Sequence, residues 1–167
     1  FKRLYYVFDH VDEADVEIIP NDEVNIKLLT DGLIIGKTDL KSDKFDVLLF
    51  ARRDIEKVVI PSYITKIESY AFDKCTNLKS IEFSENSQLE SIGANAFNGT
   101  QIDILYLPEK VVQLENGWCN GTSFTNFEID KNNKNFIFYD KKYLLGKSNP
   151  KSGIFDIILY ANCSLRE

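Results

Sequence analysis

The sequence predicts a β-rich solenoid flanked by β-hairpin inserts, and three observations predict it. Ile67, Ala71 and Phe72 return 25 residues later as Ile92, Ala96 and Phe97. Ile60 returns as Phe83, Leu107 and Ile129, at intervals of 23, 24 and 22 residues. A longer period lies above this one: residues 33–57 align without gaps to residues 143–167, at an offset of 110. A fixed period in the twenties marks a chain built from one short unit that cannot bury its own apolar residues. Stacked neighbours then share one core.

Each short unit can be read in order. Ser80-Ile81-Glu82-Phe83 alternates polar and apolar residues, as a strand with one face inward does. A turn follows, with Pro61 in the first unit and Pro108 in the third, where a missing N–H matters little. A second apolar contact comes next: Ile67, Ile92 or Leu114. The Ala-Phe pair then fills the interior, alanine allowing close backbone approach and phenylalanine supplying bulk. Single helical turns are expected around residues 70–74 and 95–98. The third unit departs from the pattern, because Trp118 and Cys119 stand where Ala and Phe are expected. Matching Asn98-Gly99-Thr100 to Asn120-Gly121-Thr122 sets Trp118 on Ala96; a one-residue slip sets it on Phe97. The slip is preferred, since one large aromatic replaces another more easily than it replaces an alanine.

The string IxSYAFxxCxxLxxIEF at residues 67–83, followed by LxSIGxNAF at 89–97, resembles the BspA-like class of leucine-rich repeat, with units of about 23 residues. The resemblance covers residues 58–129 directly. It implies a leucine-rich repeat solenoid. It also implies a surface protein of host-associated microbes that adheres to host proteins or to other cells.

Ahead of the repeats, residues 1–8 (FKRLYYVF) and 16–18 (VEI) read as strands, separated by an acidic turn at 9–15. That turn holds the one histidine, His10, beside Asp9, Asp12 and Asp15. It lacks the glycine and terminal glutamate of a calcium loop and reads as a solvated loop. Each copy of the longer repeat reads as two strands joined by a polar turn: 33–35 with 46–50, and 143–145 with 156–160. The expected organisation is one repeat domain over 1–167. It comprises N-terminal strands and a hairpin insert (1–57), three leucine-rich repeats (58–129) and a second insert (130–167). The chain has no methionine, even at position 1, and reads as an internal fragment or processed product. The second insert stops where short repeats open after the first, so a further set of repeats is expected to follow.

Composition narrows the function classes. A length of 167 residues suits one domain with a sizeable core. The longest apolar run, 47–51, is far too short to span a bilayer, so no membrane insertion is expected within these residues. Net charge is -6 and no basic stripe is present, which argues against nucleic acid. Cys75, Cys119 and Cys163 form neither a zinc pattern nor CxxC and read as free thiols. No P-loop, GxGxxG, GxSxG or HExxH motif occurs. The expectation is therefore no enzyme, with no catalytic, cofactor-binding or metal-ligating residue and no cofactor. Three N-x-S/T sequons make Asn98, Asn120 and Asn162 candidate glycosylation sites on a secretory route.

Solenoid strands lie side by side and present an extended face. If Ile60, Phe83, Leu107 and Ile129 point inward, alternation turns Val59, Glu82, Tyr106 and Glu128 outward, with Ile104 one step back on the same face. Exposed aromatic and aliphatic groups of this kind mark contact sites. Val59, Glu82, Ile104, Tyr106 and Glu128 are thus the candidate protein-binding face. The functional expectation is a non-catalytic interaction module at the cell surface or outside the cell. From the resemblance, its partner is a host matrix or cell-surface protein. The alternative is a cytoplasmic structural or scaffold repeat protein.

Overall fold

In a computed structural model, residues 25–162 are described. The strands expected at 1–8 and 16–18, the acidic turn with His10, and Cys163 lie outside them. The described residues contain strands and turns but no helix.

An antiparallel sheet opens the array: β1 (Ile26–Leu28), β2 (Leu33–Gly36) and β3 (Val47–Ala51). From there four-residue strands alternate with two-residue strands: β4 (Lys57–Ile60), β5 (Lys66–Ile67), β6 (Ser80–Phe83), β7 (Ser91–Ile92), β8 (Ile104–Leu107), β9 (Gln113–Leu114) and β10 (Asn126–Ile129). A second antiparallel sheet closes it: β11 (Ile137–Tyr139), β12 (Tyr143–Gly146) and β13 (Ile157–Ala161). The two-residue strands stack in parallel on β3, in the order β3-β5-β7-β9. The longer strands form a second row as two parallel pairs, β4 with β6 and β8 with β10. One apolar core runs between the rows, containing Val58, Ile60, Ile67, Ile81, Ile92, Leu105 and Leu107.

The ladder breaks between β6 and β8, and Pro108 explains part of the break. At equivalent places Ser84 N donates to Ile60 O and Asp130 N donates to Leu107 O, both at 3.0 Å. Pro108 has no N–H with which to reach the neighbouring strand.

The expected helical turns at 70–74 and 95–98 are instead runs of β-turns. Ala71 N donates to Glu68 O, Asp73 N to Tyr70 O and Cys75 N to Phe72 O, each three residues back. Tyr70, Lys74 and Asn95 have φ of 65°, 61° and 54°, and such left-handed residues interrupt a right-handed helix. The turns also stack between units: Phe72 N donates to Ala96 O at 2.8 Å and Lys74 N to Asn98 O at 2.9 Å.

Trp118 sits in the backbone register of Ala96, and the one-residue slip is overturned. Asn98 N donates to Asn95 O and Thr100 N to Phe97 O; Asn120 N donates to Gly117 O and Thr122 N to Cys119 O. Gly117 and Gly121 carry the positive φ found at Asn95 and Gly99. The indole still enters the aromatic core from the alanine position, edge-on to Phe97 at 6.2 Å and stacked on Phe124 at 5.7 Å.

Both hairpin inserts form, and each gains a third strand, β1 or β11. Their details repeat. Asp46 Oδ1 accepts from Thr38 N at 2.8 Å, and Asp156 Oδ1 accepts from Ser148 N at 2.7 Å. Lys37 lies over the Phe45 ring at 4.9 Å and Lys147 over Phe155 at 4.8 Å. A bulge interrupts each hairpin at the same place, between Ile34 and Ile35 and between Leu144 and Leu145. The 110-residue period is therefore structural as well as sequential.

Candidate protein-interaction face

The outward face of β4, β6, β8 and β10 holds all five residues singled out from alternation. In β4, Val58 and Ile60 are buried while Lys57 and Val59 are exposed. In β8, Leu105 and Leu107 are buried, Ile104 is exposed and Tyr106 is half-buried. Val59 is 48% exposed and Ile104 47%, large fractions for aliphatic side chains on a sheet. Parallel register sets Val59 beside Glu82 and Tyr106 beside Glu128. Apolar and acidic side chains therefore alternate along the row, as Val59, Glu82, Tyr106 and Glu128.

Tyr106 is tied down at both ends. Its ring packs against Phe83, with centroids 6.5 Å apart. Its hydroxyl donates to Asp130 Oδ2 at 2.6 Å. Neither contact was anticipated from alternation. Asp130 lies one unit on from Tyr106, just past the end of β10, so the short period itself was the available signal.

Burial, and then the Asp130 carboxylate, push the Tyr106 phenol up to about 12. The same hydrogen bond holds Asp130 below the usual carboxylate range. The fold therefore favours protonated Tyr106. That contribution is present below the ordinary tyrosine value of 10.0 and is lost as pH rises through about 12. The Asp130 contribution is present above the ordinary value of 3.8 and is lost as pH falls through the lowered one. An ultraviolet titration should show a phenol that ionises near 12 and vanishes in Tyr106→Phe. Asp130→Asn should bring that step down. A titration unchanged in both variants would show that the pair does not form.

The sequon residues take part in the turns. Asn98 Nδ2 donates to Asp73 Oδ1 at 2.6 Å, and the Thr100 hydroxyl is buried on Phe97 O at 2.9 Å. Asn120 is exposed and donates to Asn95 Oδ1 at 2.8 Å, while the Thr122 hydroxyl donates to Cys119 O at 2.6 Å. Both threonines thus close a turn, which explains their recurrence without reference to glycan. Asn162 is the last described residue.

Cys75 is buried, with its Sγ accepting from Arg53 Nη1 at 3.6 Å, and Cys119 is a half-buried free thiol. Burial pushes the Cys119 thiol up to about 11, away from reactivity. Among the described residues no cluster of three or more His, Cys, Asp or Glu is arranged to hold a metal ion. No helix there is long and apolar enough to cross a membrane. A shallow pocket of about 160 Å³ lies between β9 and the second antiparallel sheet, lined by Val112, Leu114, Phe136, Lys147, Ile157 and Leu159 among others, with no carboxylate in its wall.

A family model described as the BspA type leucine-rich repeat region matches residues 44–157, in six copies. The crystal structure of the pneumococcal vaccine antigen PcpA is similar, with 27% identity and a TM-score of 0.53. The likeness covers 56% of this chain and 24% of that one, so the chain spans about a quarter of the antigen's length. A leucine-rich cell surface protein from Faecalibacterium prausnitzii matches at 14% identity and a TM-score of 0.31, over 81% of this chain and 60% of that one. No curated protein matches the chain.

Proposed function

This chain belongs to the BspA-type leucine-rich repeat family, and on that premise we propose that it is a non-catalytic protein-interaction module of a cell-surface protein. The exposed strip of β4, β6, β8 and β10 is its contact surface. The observation that carries this reading is the pair of exposed aliphatics, Val59 and Ile104, on a rigid strand face beside Tyr106. Aromatic and aliphatic groups held by a scaffold bind at low entropic cost. Glu82 and Glu128, both exposed, intersperse negative charge among these groups. A partner that intersperses apolar and basic groups is complementary to it. Likeness to a vaccine antigen supports a surface location and, with it, adhesion to a host matrix or host cell-surface protein.

Two measurements test the reading. Antibody against the chain should stain intact cells before permeabilisation; staining only afterwards removes the adhesion reading. Purified chain should bind immobilised host matrix proteins. The double variant Val59→Asp/Ile104→Asp should weaken that binding by more than about tenfold, with the melting temperature little changed. Equal binding by the variant would exclude this face.

A further inference from the structure

Three Asn-Gly pairs stand in the turns of the second and third units: Asn98-Gly99, Asn116-Gly117 and Asn120-Gly121. Their backbones are alike. Thr100 N donates to Phe97 O at 3.1 Å, Trp118 N to Glu115 O at 3.0 Å and Thr122 N to Cys119 O at 3.2 Å, so each pair is the centre of a β-turn. Gly99, Gly117 and Gly121 have φ of 74°, 71° and 67°, as the third residue of such a turn requires. What surrounds the asparagines differs. Asn98 is pinned twice: its Nδ2 donates to Asp73 Oδ1 at 2.6 Å, and its O accepts from Lys74 N at 2.9 Å. The Asn120 amide donates to Asn95 Oδ1 at 2.8 Å. The Thr100 and Thr122 hydroxyls close both of those turns a second time. Asn116 is exposed, and Trp118 has no hydroxyl to add. Among the described residues, neither the Asn116 side chain nor the peptide group between Asn116 and Gly117 has a hydrogen-bond partner.

We propose that Asn116-Gly117 is a spontaneous modification site, where the folded chain loses ammonia and gains an aspartyl or isoaspartyl residue, whereas the fold protects Asn98 and Asn120. Asparagine is among the thermally labile residues, and glycine, without a Cβ, lets its nitrogen approach the preceding amide. Gly117 N gives its proton to a solvent base and attacks Cγ of Asn116. The new C–N bond closes a five-membered imide, the Cγ–Nδ2 bond breaks, and Nδ2 takes up a proton and leaves as ammonia. Water then opens the imide at one of its two carbonyls. Ring closure requires the peptide between the two residues to rotate until Gly117 N meets Cγ. At Asn116 no hydrogen bond among the described residues opposes that rotation. At Asn98 the bonds to Asp73 and Lys74 must break, and at Asn120 the bond to Asn95. The product strains the rung that holds it. Its carboxylate adjoins Glu115, whose Oε2 accepts from Ala94 N at 3.1 Å. The isoaspartyl form lengthens the main chain just before Gly117, whose O accepts from Asn95 N at 3.1 Å and Asn120 N at 3.0 Å. Conversion therefore loosens the third unit on the second.

The test incubates the purified chain in mildly alkaline buffer and follows each asparagine by peptide mapping and mass spectrometry. In the folded chain Asn116 should convert about tenfold or more faster than Asn98 and Asn120, whose turns must open first. In concentrated urea the difference should disappear, because the Asn-Gly chemistry is the same at all three. Asn116→Gln should remove the fast phase and leave the two slow sites as they were. The converted fraction, separated by its added negative charge, should melt below the unconverted chain. Equal rates at the three sites in the folded chain, faster conversion at Asn98 or Asn120, or a fast phase that survives Asn116→Gln would overturn the assignment. An unchanged melting temperature of the converted fraction would overturn the loosening of the third unit.

Discussion

Trp118→Ala is expected to lower stability by about 3–5 kcal/mol, the range for emptying a large buried aromatic site. The side chain is 2% exposed. Its indole meets Phe97 on one side and Phe124 and Phe127 on the other, at 6.2, 5.7 and 6.1 Å. Phe97 in turn stacks on Phe72 at 5.6 Å, and Phe127 meets Phe138 of β11 at 5.2 Å. Trp118 therefore joins the aromatic row of the repeats to that of the second antiparallel sheet. Its loss leaves a void that neighbouring rungs cannot close without breaking their ladders. Trp118→Phe is the control. It keeps most of the contact and removes Nε1, a buried donor with no hydrogen-bond partner among the described residues. That change should cost less than about 1.5 kcal/mol. Urea unfolding with unchanged m-values measures both. Equal losses for the two variants would mean that the ring's contacts carry little.

The rows of strands were legible because two independent periods agree in them. Val58 and Ile60 alternate with Lys57 and Val59, and the same alternation returns one unit later. Ile67, Ile92 and Leu114 recur at the inner row for the same reason: each must cover the one before. The hairpins were legible from gapless alignment at 110 residues, but β1 and β11 were not. Leu28 is 51% exposed and Tyr139 59%, so their short strands lack a one-sided apolar pattern. Antiparallel pairing with β2 and β12 defines them, and pairing is non-local.

The turns show a different limit. A left-handed residue is signalled by glycine, yet Tyr70 and Lys74 adopt that conformation in the first unit. Gly99 and Gly121 at the position of Lys74 were the one hint. The same glycines explain the misplaced tryptophan. Side-chain volume favoured the slip, whereas positive φ at Gly117 and Gly121 sets the backbone register, and the flexible placement of one ring follows it. On the candidate face, alternation turned the right side chains outward. The Tyr106–Asp130 bond escaped because it joins the middle of one strand to the loop after the next.

Gly93→Ala is expected to cost about 3 kcal/mol, at the upper end for overpacking. The glycine is not there for backbone freedom, since its φ is not positive. It is there for close approach. A Cβ at Gly93 would lie 2.4 Å from Ser69 N and 2.8 Å from both Glu68 C and Ser69 Cα. All three are backbone atoms of the preceding unit, so no side-chain rotation relieves the clash. The rung itself must move. That motion strains the bond from Gly93 N to Ile67 O, now 2.8 Å. It also disturbs Glu115, whose Oε2 accepts from Ala94 N at 3.1 Å and from the Ser69 hydroxyl at 3.4 Å. Three successive units are thus linked across one missing methyl group. Gly153→Ala provides the contrast, because a Cβ there meets nothing within 4 Å and should change stability by less than about 0.5 kcal/mol. Denaturation midpoints of the two variants decide the matter. If Gly93→Ala proves as mild as Gly153→Ala, the units are not packed rung on rung at this point, and the close approach is not what places glycine there.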